Sequence, residues 1–374
     1  MNPRRLRLGF SVAAAGMLLA VVLPLSSEAT AGLAARPVIL AMTLSGAALF
    51  AAAALVGTPW AIGLGLAGAL GGSGVSLALL QDATIAGSAA KGFWFIVLAT
   101  WLGAALCVMA LAAVRPRGTQ SRRALDIAVP LLFGAFVFYL WEVSVRGLGV
   151  PPVLMPSPSA AAARFATSLP ILGADFMQTF IKGVLIGYAI GCGAGLAVAV
   201  VAQRVPFLGR GLLPLGNFFS ALPLVGIAPI MVMWFGFDWP SKAAVVALVT
   251  FFPMLVNALA GLSAAGHMER DLMRSYGAGH RQSLTKLYLP AAMPFIFNAL
   301  KINATLALIG AIVAEFFGTP TQGIGFRIST EAGRMAIDMV WAEIALAAIA
   351  GMAFYGLVAL AERATTFWHP SYRA

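Results

Sequence analysis

Apolar stretches of about 20 residues recur from one end of the chain to the other, separated by short clusters of charged, proline and glycine residues. Such a stretch crosses a roughly 30 Å hydrocarbon layer as a helix, the one single-segment structure that bonds all its own backbone polar groups where water is absent. Breaking the sequence at the polar clusters predicts ten spans, near 8–25, 38–56, 60–80, 93–114, 126–145, 179–202, 212–235, 242–265, 291–313 and 338–361. The span at 60–80 is the least regular, because Gly71-Gly72-Ser73-Gly74 interrupts it, although glycine lets membrane helices approach closely. A short amphipathic helix is expected over 159–177, opened by Ser159 as its N-cap. The expected fold class is an all-α polytopic membrane protein.

Composition reinforces that reading. Of the 374 residues 61% are hydrophobic and 10% charged, whereas soluble domains carry about 25% charged residues. An ordinary soluble enzyme, a disordered chain and a disulfide scaffold are thereby excluded. The net charge of +11 is accounted for by basic residues at helix ends, which orient spans and meet anionic lipid, so nucleic acid is not an expected partner. Cys107 and Cys192 both fall in apolar stretches and read as small core residues. The N-terminus imitates a signal peptide, with Arg4, Arg5 and Arg7 before an apolar core and Ala29-Thr30-Ala31 after it. A retained first span is the expectation ahead of so many others.

Basic residues are unevenly shared between alternate loops. Arg4, Arg5, Arg7, Arg115, Arg117, Arg122, Arg123, Arg204, Arg210, Arg270, Arg274, Arg281, Lys286, Arg363 and Arg373 fall on one side. Arg36, Lys91, Arg146, Arg164, Lys242, Arg327 and Arg334 fall on the other, with Lys182 and Lys301 expected at helix ends. The richer side is the cytoplasm, which makes both termini cytoplasmic. The arginine segment 115–123 divides the chain into residues 1–115, an accessory region of about four spans with few ionisable groups, and residues 116–374, about six spans with longer loops.

The loop at 266–290 cannot lie in lipid, because it carries Glu269, Arg270, Asp271, Arg274, Arg281 and Lys286. Burying each would cost about 2.5–3.5 kcal/mol. Leu272, Met273 and Tyr276 form one apolar stripe at helical spacing, and Leu284, Leu287 and Tyr288 another. Gly277 and Gly279 interrupt the run between them, and Pro290 suits the first turn of the next membrane helix. The spacing predicts two short amphipathic helices meeting at a glycine corner, the second near 278–286. A solvated loop with incidental helicity is the other reading.

This segment resembles the EAA loop of binding-protein-dependent ABC importer permeases. Asp271 stands at the acidic position, Gly277 at the glycine, Leu287 at the isoleucine and Leu289-Pro290 at the closing pair, while Leu272-Met273 replaces the usual Ala-Ala. Leu154-Met155-Pro156-Ser157-Pro158, Ala228-Pro229, Trp234-Phe235-Gly236, Phe251-Phe252-Pro253, Ala314-Glu315 and Gly323-Ile324-Gly325 resemble landmarks of the nitrate, sulfonate and taurine branch, which includes carriers of thiamine pyrimidine and riboflavin. The resemblance covers about residues 126–370. It implies a six-helix permease core in a bacterial inner (plasma) membrane, working as a homodimer or a heterodimer. It also implies ABC ATPase subunits and a periplasmic or lipid-anchored solute-binding protein as partners, and no cofactor. The residues it assigns to ATPase coupling are Asp271, Arg274, Tyr276, Gly277, Ala278, Gly279, His280, Arg281, Leu284, Lys286, Leu287 and Pro290. The solute would be a small polar organic molecule or anion, sulfonate-like, nitrate-like or a heterocyclic vitamin precursor, the last slightly favoured by Trp368-His369-Pro370.

Other chemistry finds little support. The dipeptide Gly-Lys of a phosphate-binding loop occurs nowhere, so ATP hydrolysis is expected in a separate subunit. Gly71-Gly72-Ser73-Gly74 resembles an intramembrane serine protease motif, but His267, His280 and His369 all lie outside the spans, and they build no metal site. Candidate path-lining residues are Asn217, Phe218, Phe219, Ser220, Trp234, Asn257, Asn298, Asn303 and Thr305. Helix–helix hydrogen bonding is an equal alternative for the asparagines. Glu315 either orders an outer gate, paired with a base such as Arg327, or caps a helix end. Asp238 and Lys242 read as an exposed structural pair. A secondary transporter driven by an ion gradient is the alternative function, and it predicts inverted repeats and mid-depth carboxylates.

Overall fold

The computed structural model describes residues 3–27, 32–56, 58–116, 118–205, 207–208, 211–212, 214, 216, 218, 223–318 and 321–367. Asn217, Phe219, Ser220 and the 368–370 tail lie outside the described residues. The elements are α1 (Pro3–Val22), α2 (Pro37–Leu55), α3 (Thr58–Leu79), α4 (Lys91–Ala112), α5 (Thr119–Gly147) and α6 (Pro158–Thr167). There follow α7 (Leu169–Arg204), α8 (Leu224–Phe235), α9 (Trp239–Ser263), α10 (His267–Ser275), α11 (His280–Glu315), α12 (Ile324–Gly333) and α13 (Ile337–Thr365). Among the described residues nine helices are long and apolar enough to cross a membrane, and α8 is a shorter apolar helix. The all-α polytopic expectation holds. The span expected at 212–235 is described as a continuous helix only from Leu224.

Two compact units divide the chain, Met1–Ala162 and Ala163–Ala374. In the first, α1 to α4 pack around Phe10, Met17, Phe50 and Phe93, all fully buried. The glycine-interrupted span is an unbroken helix. A Cβ at Gly72 would stand 2.2 Å from Thr100 Oγ1, so the missing side chain is what lets α3 lie against α4. Ser73 donates to the Ala69 carbonyl at 2.6 Å, a hydroxyl bonded into its own helix. α5 joins this unit through Tyr139 Oη with Ser76 Oγ at 2.7 Å and Arg146 Nη2 donating to the Leu80 carbonyl at 2.8 Å.

In the second unit α7, α9 and α11 form the centre. Gly187, Gly191 and Gly195 recur every four residues along α7 and face α9, where added Cβ atoms would meet Ala243 O at 2.5 Å, Thr250 Oγ1 at 2.1 Å and Phe251 O at 2.6 Å. The packing is of the small-xxx-small kind, which the sequence carries openly. Around it lie two apolar cores, one of Met254, Leu255, Leu259, Ala292 and Ile296, the other of Phe180, Val184, Val246, Leu308 and Phe354.

The helix expected at 159–177 is divided. α6 begins at Pro158 with Ser157 as its cap, Oγ accepting the Ala160 N–H at 3.3 Å. Ser159 instead donates its hydroxyl to Glu142 Oε1 at 2.7 Å. The chain breaks at Ser168 because Pro170, in the first turn of α7, has no N–H to continue the ladder. From there α7 runs unbroken to Arg204.

Candidate functional site

The charged segment folds into the predicted elbow, with one difference. α10 ends in a Schellman closure, the Ala278 N–H reaching Met273 O at 3.0 Å and the Gly277 N–H reaching Arg274 O at 2.9 Å. Gly277 has φ +66°, the left-handed conformation this closure requires, whereas Gly279 sits at φ −67° and caps the next helix. The Gly279 N–H donates to Gln282 Oε1 at 3.1 Å. The second helix is not a separate short element: α11 starts at His280 and passes through Pro290 to Glu315. Pro290 has no N–H for the carbonyl four residues earlier, and the chain before it widens to a π turn at Leu284–Tyr288, with the Leu289 N–H on Leu284 O. The proline thus re-registers the helix rather than ending a loop.

The elbow is held by its inner face. Leu284, Tyr288 and Leu289 pack against the core of Met254, Leu259 and Leu262. Arg270 Nη2 donates to the Ser263 carbonyl at 2.9 Å and its guanidinium stands 6.0 Å over the Tyr288 ring. The opposite face is open: Met268, Leu272 and Tyr276, one turn apart, are 86%, 56% and 81% exposed. Asp271, Arg274, His280, Arg281 and Lys286 are exposed around them, Ala278 and Leu287 are half-buried, and the Asp271–Arg274 pair spans 3.7 Å in water.

A second constellation lies at the far end of α11, about 40 Å from Leu289 at 1.5 Å per residue. The N-terminus of α12 is received there by side chains of two other helices. Asp175 Oδ1 accepts the Gly323 N–H at 2.6 Å, Thr179 Oγ1 accepts the Ile324 N–H at 2.8 Å, and Glu315 Oε2 accepts the Gly325 N–H at 2.7 Å. Thr179 also donates to Glu315 Oε1 at 2.7 Å. These are the orphan donors of a helix start, and carboxylates there also meet the positive end of its dipole. Both glycines are required: a Cβ on Gly323, at φ +133°, would stand 2.6 Å from Glu315 Oε1, and one on Gly325 would stand 2.2 Å from the Ile312 carbonyl.

Two sequence pairings are corrected here. Arg327 binds Asp175, Nε to Oδ2 at 2.8 Å, not Glu315, because the Glu315 oxygens are occupied by Thr179 and the α12 backbone. The Asp175 hydrogen bond raises the Arg327 pKa. Lys242 is not exposed but 2% accessible, and it donates to the carbonyls of Phe237 (2.6 Å) and Gly318. Asp238 instead caps α9, accepting from Gln178 Nε2 at 2.8 Å and from the Trp239 N–H at 2.7 Å, and these bonds hold its carboxyl below the usual range. Glu343, fully buried beside Asp175, Arg327 and Glu315, was not singled out in the sequence. An acid within an apolar span was the available signal for it.

The described path residues do not converge. Trp234, 71% exposed, lines an apolar cleft of about 560 Å³ with Ile190, Met231, Trp239 and Phe251. Asn257 donates to the carbonyl of Pro253 in its own helix at 2.8 Å. Asn303, fully buried, donates to Thr250 O at 2.7 Å and Cys192 Sγ at 3.2 Å, tying α11 to α9 and α7.

Residues 187–371, which contain both the elbow and the glycine-bound N-terminus of α12, match the binding-protein-dependent transport system inner membrane component. The formylaminopyrimidine transport permease ThiX of Halalkalibacterium halodurans is 31% identical over 55% of this chain and 81% of its own length. The chain belongs to this permease family. The taurine transport permease TauC of Escherichia coli is 30% identical over 61% of the chain and 85% of itself, and the riboflavin permease RibX of Chloroflexus aurantiacus is 28% identical over 69% and 97%. The protein is thus an ABC importer permease of the nitrate, sulfonate and taurine branch and an inner-membrane protein, and the ion-gradient alternative is set aside. A stretch covering 69% of this permease is longer than everything after Ala162, so the likeness to RibX reaches back into the first compact unit.

Proposed function

We propose that this permease converts nucleotide-driven closure of two separate ATPase subunits into tilting of its spans, and that the force enters at the elbow. The observation that carries the reading is the elbow's two-sidedness. One face is anchored in the α9/α11 core, while the other presents Met268, Leu272 and Tyr276 to solvent within a rim of Asp271, Arg274, His280, Arg281 and Lys286. An exposed apolar stripe with a charged rim has the make-up of an interface core and its border. α11 is continuous from that surface to Glu315, so a push on its first turn displaces the whole helix.

In this reading residues 116–374 are the permease core, residues 1–115 an accessory region, and the elbow and both termini face the cytoplasm. Two copies assemble in the membrane and receive solute from a binding protein on the other side. The names of the relatives, carriers of formylaminopyrimidine, taurine, aliphatic sulfonates and riboflavin, support a small polar organic solute or anion. Trp234, at the apolar cleft, and Phe219, outside the described residues, remain the proposed lining of its path, while Asn257, Asn303 and Glu315 are bonded into the helix frame.

The test rests on the two glycines. A Cβ at either position meets nothing within 4 Å, so only backbone conformation distinguishes them. Gly277→Val forces a branched side chain into the left-handed region at about 1–2 kcal/mol and should lower solute-stimulated ATP turnover in the reconstituted importer about tenfold. Gly279→Ser, at an ordinary φ and a cap position that serine suits, should leave turnover unchanged. Equal behaviour of the two variants would remove the elbow as the coupling element.

A further inference from the structure

The seam between α4 and α5 has a shape that transport coupling does not use. At its polar end lies a cavity of about 640 Å³ whose lining includes Leu111, Val114, Arg115, Arg122, Asp126 and Pro130. Further along the same two antiparallel helices a second cleft, of about 180 Å³, is lined by Trp101, Val108, Met109, Phe133 and Val137, with no charged residue. Asp126 and Phe133 are about 10 Å apart along α5, at 1.5 Å per residue. Arg115 and Arg122 make no ion pair among the described residues. Asp126, Pro130, Phe133 and Val137 follow one another at helical spacing on one face of α5, and Met109 and Phe133 are 51% and 62% exposed, so an apolar strip runs from the charged pocket toward the apolar cleft.

We infer that this seam is a binding site for an acidic phospholipid, its phosphate held by Arg115 and Arg122 and an acyl chain laid in the cleft beside Phe133. Guanidinium forks suit phosphate oxygens, and basic pockets between membrane helices at the polar boundary hold anionic headgroups. Asp126 at the same pocket favours a headgroup that also donates hydrogen bonds, so the glycerol hydroxyls of phosphatidylglycerol fit better than a bare phosphate monoester. The pocket alone would suit any phosphate. The apolar continuation is what selects a lipid.

Native mass spectrometry of the full chain, released from micelles holding equal phosphatidylglycerol and phosphatidylcholine, tests this. The unmodified chain should retain the anionic lipid about tenfold over the zwitterionic one, and Arg115→Ala/Arg122→Ala should bring the ratio near one. Arg115→Lys/Arg122→Lys, which keeps charge but loses the fork, should fall between them and guards against misfolding of the alanine variant. Ala105→Phe, which fills the apolar cleft, should reduce retention of both lipids. Equal retention by the unmodified chain, or an unchanged ratio in the double alanine variant, would overturn the site. Stabilisation by inorganic phosphate or glycerol 3-phosphate equal to that by phosphatidylglycerol would overturn the lipid and leave a phosphate pocket.

Discussion

One carboxylate at the end of α11 serves two buried groups, since Glu315 accepts both the Thr179 hydroxyl and the Gly325 N–H. Glu315→Ala leaves both without it, and each orphaned buried group costs about 1–3 kcal/mol. Glu315→Gln retains one oxygen for Gly325 and can donate its amide to Thr179 Oγ1, which has a second lone pair. The alanine variant should therefore melt well below the wild type and the glutamine variant close to it, read by tryptophan fluorescence in detergent. Equal losses in the two would show that charge, not hydrogen bonding, holds α12. A glycine corner between the two amphipathic stripes was legible in the sequence, but which of Gly277 and Gly279 makes the reversal was not, because only the folded backbone shows Gly277 at positive φ. The Asp175–Arg327 pair was not, because its members are 152 positions apart and meet only once α7 and α12 are packed. In sequence Glu315 stands far closer to Arg327 than Asp175 does, which is why spacing points to the wrong carboxylate.

Helix boundaries are legible where composition changes abruptly and not at Pro290, which the sequence places in the first turn of a new membrane helix and the fold places inside α11. Pro290 and Pro253 both lie inside continuous helices, the former just after a π turn that takes up its missing donor. The same continuity places Lys182 and Lys301 inside α7 and α11 rather than at their ends. Lys301 binds Glu362 of α13 at 2.7 Å, a neutralising partner that apolar counting does not see. Because α11 begins at His280, the orientation of a whole span can be read at one residue. Both native cysteines are buried, so a thiol introduced by His280→Cys would be the accessible one. A membrane-impermeant maleimide should label it in inside-out vesicles and not in intact cells. Labelling of intact cells would invert the proposed orientation of the elbow.

At the scale of the whole chain, the arginine segment 115–123 marked a division by charge, while chain contacts place the division between Ala162 and Ala163. The difference is α5. It follows the arginines in sequence, yet Tyr139 and Arg146 bond to Ser76 and Leu80 of the first four spans, and likeness to RibX reaches its stretch of the chain. Charge patterning reports where a loop meets water, not which helices share side-chain bonds, so α5 could not be placed from sequence. This makes truncation informative. Removing residues 1–115 strips Tyr139 and Arg146 of those partners, a loss of about 1 kcal/mol for each net hydrogen bond. The shortened permease should still co-purify with its ATPase through the untouched elbow, with a lower melting temperature that Tyr139→Phe partly restores by removing an orphaned hydroxyl. Co-purification lost alongside an unchanged melting temperature would mean that the accessory spans touch the ATPase assembly directly. In that event residues 1–115 would serve partner recognition rather than hold α5 through its bonds to Ser76 and Leu80.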